Sequence, residues 1–169
     1  MSNPAKQRTE VAASTLELLH SEMVEYTTND SKYSSHKEKA YTVLEDMGFK
    51  VGIRLGERLT RDKGRFADNL DTIKFICKDF WSECFKKNVD NLKTNHKGTY
   101  VLHDSKFTYL TRLSLSTPEE TANAAKNHVV FSCGIIRGCL SSLGVEAFVT
   151  AEINALPSVL FKVIEISRQ

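Results

Sequence analysis

From Cys133 to Gly144 the chain reads Cys-Gly-Ile-Ile-Arg-Gly-Cys-Leu-Ser-Ser-Leu-Gly, an apolar run of helical character with two glycines one turn apart. A glycine inside a helix costs about 0.5–1 kcal/mol relative to alanine. Gly134 and Gly138 on one face therefore mark a stripe onto which something bulky packs, either another backbone or an aromatic ring. Arg137 is the single charge in the run, and Gly144 suits the left-handed residue that ends a helix. The run is a packing surface with no catalytic group on show. A second series, Gly48, Gly52 and Gly56, recurs at four-residue intervals and leaves one side of a helix nearly bare. Without a membrane span, that spacing implies close helix–helix contact.

The 169 residues suffice for one domain with an adequate core, expected over 10–169 behind a disordered tail at 1–9. The 23 basic and 21 acidic residues leave a net charge of +2, too small to draw the chain to nucleic acid or an anionic membrane. The longest apolar tract, Val129 to Leu143, is broken by Arg137 and falls short of the roughly 20 residues a span needs. The start is polar and lacks a signal-peptide core, so a cytoplasmic or nuclear setting is expected. Cys77 and Cys84 stand about 10 Å apart by helical rise, and Cys133 and Cys139 about 9 Å, beyond disulfide reach. No spacing matches a zinc motif, so reduced structural thiols are expected, with a pair across helices left open.

Apolar periodicity organises the rest. Leu16, Leu19 and Met23, broadened by Leu18, predict an amphipathic helix from Glu10 to about Tyr26. Ala40, Val43, Leu44 and Met47 predict a second from Lys37 to Met47, with Gly48 as its stop, and Val51, Leu55 and Leu59 a short third. Asp68 to Phe85 is apolar on most sides, as in a helix central to a domain or under a sheet. Tyr100 and Leu102, then Phe107 and Tyr109, alternate around His103-Asp104-Ser105-Lys106 and predict two strands and a turn. Thr117-Pro118-Glu119-Glu120 starts a helix that runs to Leu143. Val145–Ile153 and Val159–Ile166, with Pro157 between, predict a terminal hairpin. The fold class is α+β: N-terminal helices, a four-stranded antiparallel sheet from two hairpins, and a long helix between them. The first two helices keep apolar stripes with no strand to cover; they pair with each other or with another chain.

No active site emerges. His96 and His103 flank the first hairpin without a third ligand or a carboxylate in a recognisable motif. Cys133 lies inside an apolar helix, where a thiol packs rather than attacks. No phosphate-cradling loop is present, and no metal or cofactor is expected. Arg54, Arg58, Arg61, Lys63 and Arg65 form a local basic surface for water, lipid or an acidic neighbour.

Four separated motifs carry a resemblance. They are Leu44-Glu45-Asp46-Met47-Gly48-Phe49-Lys50-Val51-Gly52, Lys74-Phe75-Ile76-Cys77-Lys78-Asp79-Phe80-Trp81, Asn91–His96 with Gly98–Leu102, and the Cys133–Gly144 run. In this order they resemble the small subunits of the TRAPP vesicle-tethering complex, the subunit-6 branch in particular, from about Leu16 to Ile166. Thr94-Asn95-His96 and Arg137-Gly138 are its specific elements. The resemblance implies a structural, non-enzymatic subunit without a cofactor that pairs with subunit 3 and meets other TRAPP subunits. The assembled core would act as nucleotide exchange factor for a Rab GTPase of early secretory traffic, contacted only indirectly by this chain. The complex would sit peripherally on endoplasmic reticulum and cis-Golgi membranes. Pairing through the first two helices would place Leu16, Leu19, Met23, Val43, Leu44 and Met47 at the contact. Subunit 3 carries an acylated cysteine after a Gly-Arg pair; the matching stretch here is Gly64-Arg65-Phe66, and Phe66 cannot form a thioester. Phe66 is expected to turn inward and partly fill the acyl space. Gly52, Gly56, Gly134, Arg137 and Gly138 are the close-packing residues. The alternative is a sensor-type domain holding an apolar small molecule among Phe75, Phe80 and Trp81.

Overall fold

The computed structural model describes residues 12–29 and 37–166, so the tail expected at 1–9 lies outside them. Two long helices, α2 (Lys37–Thr60) and α5 (Pro118–Ser142), form its centre. No stop occurs at Gly48: the expected second and third helices are one, because the glycines are held helical by what covers them. A methyl group at Gly48 would run into the Phe131 carbonyl, and one at Gly52 into that of Ile135. Reciprocally, methyls at Gly134 and Gly138 would meet the carbonyls of Glu45 and Phe49, and one at Gly56 the Ser142 hydroxyl. Residue numbers rise together along the contact, so the helices run parallel with backbone against backbone. Two side-chain bonds fix the register: Tyr41 Oη donates to Asn127 Oδ1 at 2.9 Å, and Arg137 Nε to Glu45 Oε1 at 2.8 Å. Arg137 also lies 4.3 Å from the Phe49 ring centre.

The ends of α5 are local chemistry. Thr117 Oγ1 accepts from the Glu120 amide at 3.2 Å and Pro118 takes the first position. Gly144, at φ 83°, turns the chain so that Val145 N reaches the Leu140 carbonyl at 2.9 Å. The expected Asp68–Phe85 helix is α3 (Asn69–Phe75), a π-helical turn (Ile76–Phe80) and α4 (Trp81–Phe85) in unbroken succession. Asp68 caps it, accepting from the Asp71 amide at 2.7 Å. The wider turn brings the neighbours Phe80 and Trp81 both to full burial.

Four strands complete the fold: β1 (Asn91–Thr94), β2 (Thr99–Asp104), β3 (Ala147–Ala155) and β4 (Ser158–Glu165), all antiparallel in the order β1-β2-β4-β3. The first hairpin is β1 with β2, not the expected pair around 103–106. Phe107 and Tyr109 alternate like a strand but enter a 3₁₀ turn (Thr108–Leu110), where their rings meet edge to face at 5.7 Å in an aromatic cluster. The β1–β2 turn is built by the Thr94-Asn95-His96 motif. Asn95 Oδ1 accepts from the amides of Lys97 and Thr99 at 2.8 and 3.0 Å, with His96 and Gly98 at positive φ. Tyr100, Leu102, Val159, Phe161 and Val163 face the core. Buried Asp104 ties helix to sheet, accepting from Trp81 Nε1 at 2.9 Å and Lys87 Nζ at 2.7 Å.

The first helix, α1 (Ala13–Asn29), docks with an uncommon face: His20, Val24 and Thr27 are its buried residues. The His20 ring stacks on Tyr109 at 3.8 Å and lies 5.3 Å from His128. Among the described residues, the buried His20 Nε2, His128 Nδ1 and Ser132 hydroxyl have no hydrogen-bond partner. Burial, then the neighbouring His128, lower the His20 pKa to about 3, and burial lowers that of His128.

Two predictions follow from this packing. Gly52→Ala would gain up to about 1 kcal/mol of helix propensity but is expected to lose a net 1–3 kcal/mol by forcing α2 off α5. Gly64→Ala, which meets nothing within 4 Å, should change little, and urea denaturation compares the two. Second, an unfolded histidine binds its proton near pH 6.5, whereas folded His20 resists it down to about 3. Stability should therefore be unaffected by His20 above that range and fall on acidification from 6.5 toward 3, by about 1.4 kcal/mol per pH unit, with His128 acting in the same direction. His20→Phe should lower the slope of the denaturation midpoint against pH.

Candidate interaction surface

The helical period sorts α1 into two faces. With His20, Val24 and Thr27 turned inward, Leu16, Leu18, Leu19 and Tyr26 are left 51, 67, 63 and 76% exposed. Met23 is half-buried between the faces. On α2, Ala40 and Leu44 point inward on the same side as Gly48, while Met47 and Val51 are exposed and Val43 half-buried. Leu44, expected among the contact residues, is 0% exposed. It stands about 100° round the helix from Val43, and this turns it into the chain's own core, out of reach of a partner. Leu18, Tyr26 and Val51 stand exposed although they were outside the expected contact set.

The α1 stripe continues into a groove of about 410 Å³ lined by Leu16, Leu19, Cys84, Phe85, Thr108 and Tyr109. It is largely apolar, and among the described residues its ionic rim is Glu17 and Lys86. Such a surface can bury leucine and aromatic side chains of another protein; nothing in it resembles a reacting centre.

The remaining candidates are dispersed. Phe66 is half-buried with its ring 5.2 Å from that of Phe75, beside a polar recess lined by Thr60, Lys63, Arg65 and Asp68. Phe75, Phe80 and Trp81, offered as a ligand pocket, are instead packed among rings: Trp81 lies 4.7 Å from Phe85 and 5.3 Å from Phe161. Of the basic stretch, Arg58 pairs with Glu83 at 3.8 Å and Lys63 with Asp79. His103 Nε2 meets Ser158 Oγ at 3.0 Å and pairs in register with Asn91, at the far end of the hairpin from His96. Burial pushes the thiols of Cys77, Cys84 and Cys133 up to about 12 and raises that of Cys139 as well, so none is poised as a nucleophile. All four cysteines are free. Among the described residues no three metal-binding side chains gather, and no helix is long and apolar enough to cross a membrane.

Comparison with known proteins gives the chain its family. The family model for the transport protein particle (TRAPP) component matches residues 16–166. The trafficking protein particle complex subunit 6b of Danio rerio is 46% identical over 147 residues, which is 87% of this chain and 92% of that protein. The human subunit 6A is 44% identical over 150 residues, 88% of this chain and 93% of its own length. In fold, the chain is similar to a crystal structure of a trafficking protein particle complex subunit 3 from Naegleria fowleri covalently bound to palmitic acid. The TM-score is 0.71 at 20% identity, covering 91% of this chain and 96% of that one. With a family model over nearly the whole domain and subunit-6 relatives matched along most of their length, the chain belongs to the TRAPP component family.

Proposed function

We propose that this chain is a non-catalytic building subunit of the trafficking particle and that the outer stripes of α1 and α2 form its face for a subunit-3 partner. The observation that carries the reading is the exposure of Leu16 and Leu19 on a helix whose inward face is already filled by His20, Val24 and Thr27. Burying one leucine is worth roughly 1.5–3 kcal/mol, so the stripe of α1, with Met23, Val43 and Met47 beside it, supplies enough apolar surface for a stable pair. In this reading the subunit shapes and links the complex, and exchange on a Rab GTPase is performed by the assembled core. Attachment to endoplasmic reticulum and cis-Golgi membranes is peripheral and belongs to the complex as a whole. Residues 10–169 act as one domain in this role.

Phe66 fits the same division of labour. The subunit-3 structure is covalently bound to palmitic acid, whereas the stretch that the resemblance matches to the acyl cysteine of subunit 3 carries the aromatic ring of Phe66 here. Phe66, packed against Phe75, takes up part of the room an acyl chain would use.

Light scattering on the chain coexpressed with a subunit-3 partner should give a one-to-one heterodimer. Leu16→Asp with Leu19→Asp should abolish the pair and leave the thermal transition of the chain intact; a surviving heterodimer would rule out the α1 face. Leu44→Ala should act differently, costing about 2–5 kcal/mol of the chain's own stability. Intact-mass analysis of the purified heterodimer should place any fatty acyl adduct on the partner, and an adduct on this chain would refute the role given to Phe66.

A further inference from the structure

A second surface lies away from α1, at the open edge of the sheet. β3 ends the order β1-β2-β4-β3, so among the described residues one side of its nine-residue backbone has no strand beside it. Among the described residues no backbone group outside β4 bonds to Ala147–Ala155. The opposite edge, β1, is four residues long and carries Lys93. By contrast, the stretch of β3 from Ala147 to Ala151 (Ala-Phe-Val-Thr-Ala) has neither a charge nor a proline to discourage pairing. A break in register between Glu152 and Ala155 limits the regular part to Ala147–Glu152.

This edge is one wall of a groove of about 720 Å³. Six consecutive β3 residues, Val149 to Asn154, line it, inward- and outward-facing side chains alike. Only the backbone edge of a strand presents both sets at once. The other wall is α5, through Ala122, Lys126, Val129, Val130 and Cys133, with Tyr41 and Glu45 of α2 beside it. Lys126 on the helix wall and Glu152 on the strand wall are exposed and make no ion pair among the described residues.

We infer that the β3 edge is a docking site for an extended segment of another polypeptide, added as a fifth strand between β3 and α5. The open amides and carbonyls select an extended backbone, and the apolar helix wall selects apolar residues at alternate positions. The two unpaired charges set the partner's polarity, with an acidic residue toward Lys126 and a basic one opposite Glu152. This surface shares no residue with the outward stripe of Leu16, Leu19, Val43 and Met47, so a subunit paired there still offers an edge to a further protein.

The probe is an acetylated octapeptide alternating valine and threonine, with aspartate on the helix side and lysine at the position opposite Glu152, titrated into the full-length chain. Amide resonances of Ala147–Glu152 should shift, and those facing away from β4 should exchange with solvent about tenfold more slowly. N-methylation of alternate peptide residues should remove both effects. Lys126→Glu with Glu152→Lys should weaken binding, and a peptide with its two charges exchanged should restore it. Absence of shifts at millimolar peptide, or shifts untouched by N-methylation, would overturn the proposal. Protection that rises with protein concentration and needs no peptide would place a second copy at the edge and would overturn it equally.

Discussion

The contact between α2 and α5 is made by backbone, and the rest of the molecule is arranged around that fact. Four glycines let carbonyls of each helix approach the α-carbons of the other, and a fifth, Gly56, admits the Ser142 hydroxyl, which dispenses with the layer of side chains that ordinarily separates two helices. Each glycine is unfavourable to its own helix, so the helices persist because the contact compensates for them. The seam also directs the neighbouring side chains. With Gly48, Gly52 and Gly56 committed to α5, the flank carrying Ala40 and Leu44 completes the core and the flank carrying Met47 and Val51 faces outward. Arg137, beside the glycines of α5, uses both its charge and its plane, on Glu45 and on Phe49.

What sequence could reveal divides along the same line. The long helix α5 is legible from its own residues, since Thr117-Pro118 and Gly144 act within a few positions of themselves. The terminal hairpin is legible for the same reason, its β-branched alternation breaking at Pro157. Gly48 reads as a stop because nothing nearby argues otherwise; what overrides it lies on α5, more than eighty residues later. The strand expected at Phe107–Tyr109 fails because two-residue spacing also suits aromatic rings entering a cluster from a 3₁₀ turn. Asp104 carries no local sign that it will be buried under Trp81 and Lys87.

The stripes on α1 and α2 are visible as stripes, yet their outward side is not. On α1 a histidine goes in and three leucines stay out, the reverse of ordinary amphipathic sorting. Only the stack on Tyr109 and the nearness of His128 explain why. On α2 the adjacent Val43 and Leu44 look equivalent in a pattern, and the glycine seam alone separates their fates. The open edge of β3 was hidden for a related reason: strand order follows from which hairpin joins which, and β2 pairs with β4 across most of the intervening chain.

The seam also bears on how the polypeptide is made. Glu45 and Arg137 are 92 positions apart, so α2 is synthesised well before the helix that makes its glycines tolerable. Until α5 emerges from the ribosome, α2 is a weak helix with a naked flank, and long-range contacts of this kind are slow to form. The amino-terminal half cannot finish folding ahead of the carboxy-terminal half. A chain interrupted before Pro118 would hold the groove without the ridge, which makes it a natural client for chaperones and an early target for proteolysis.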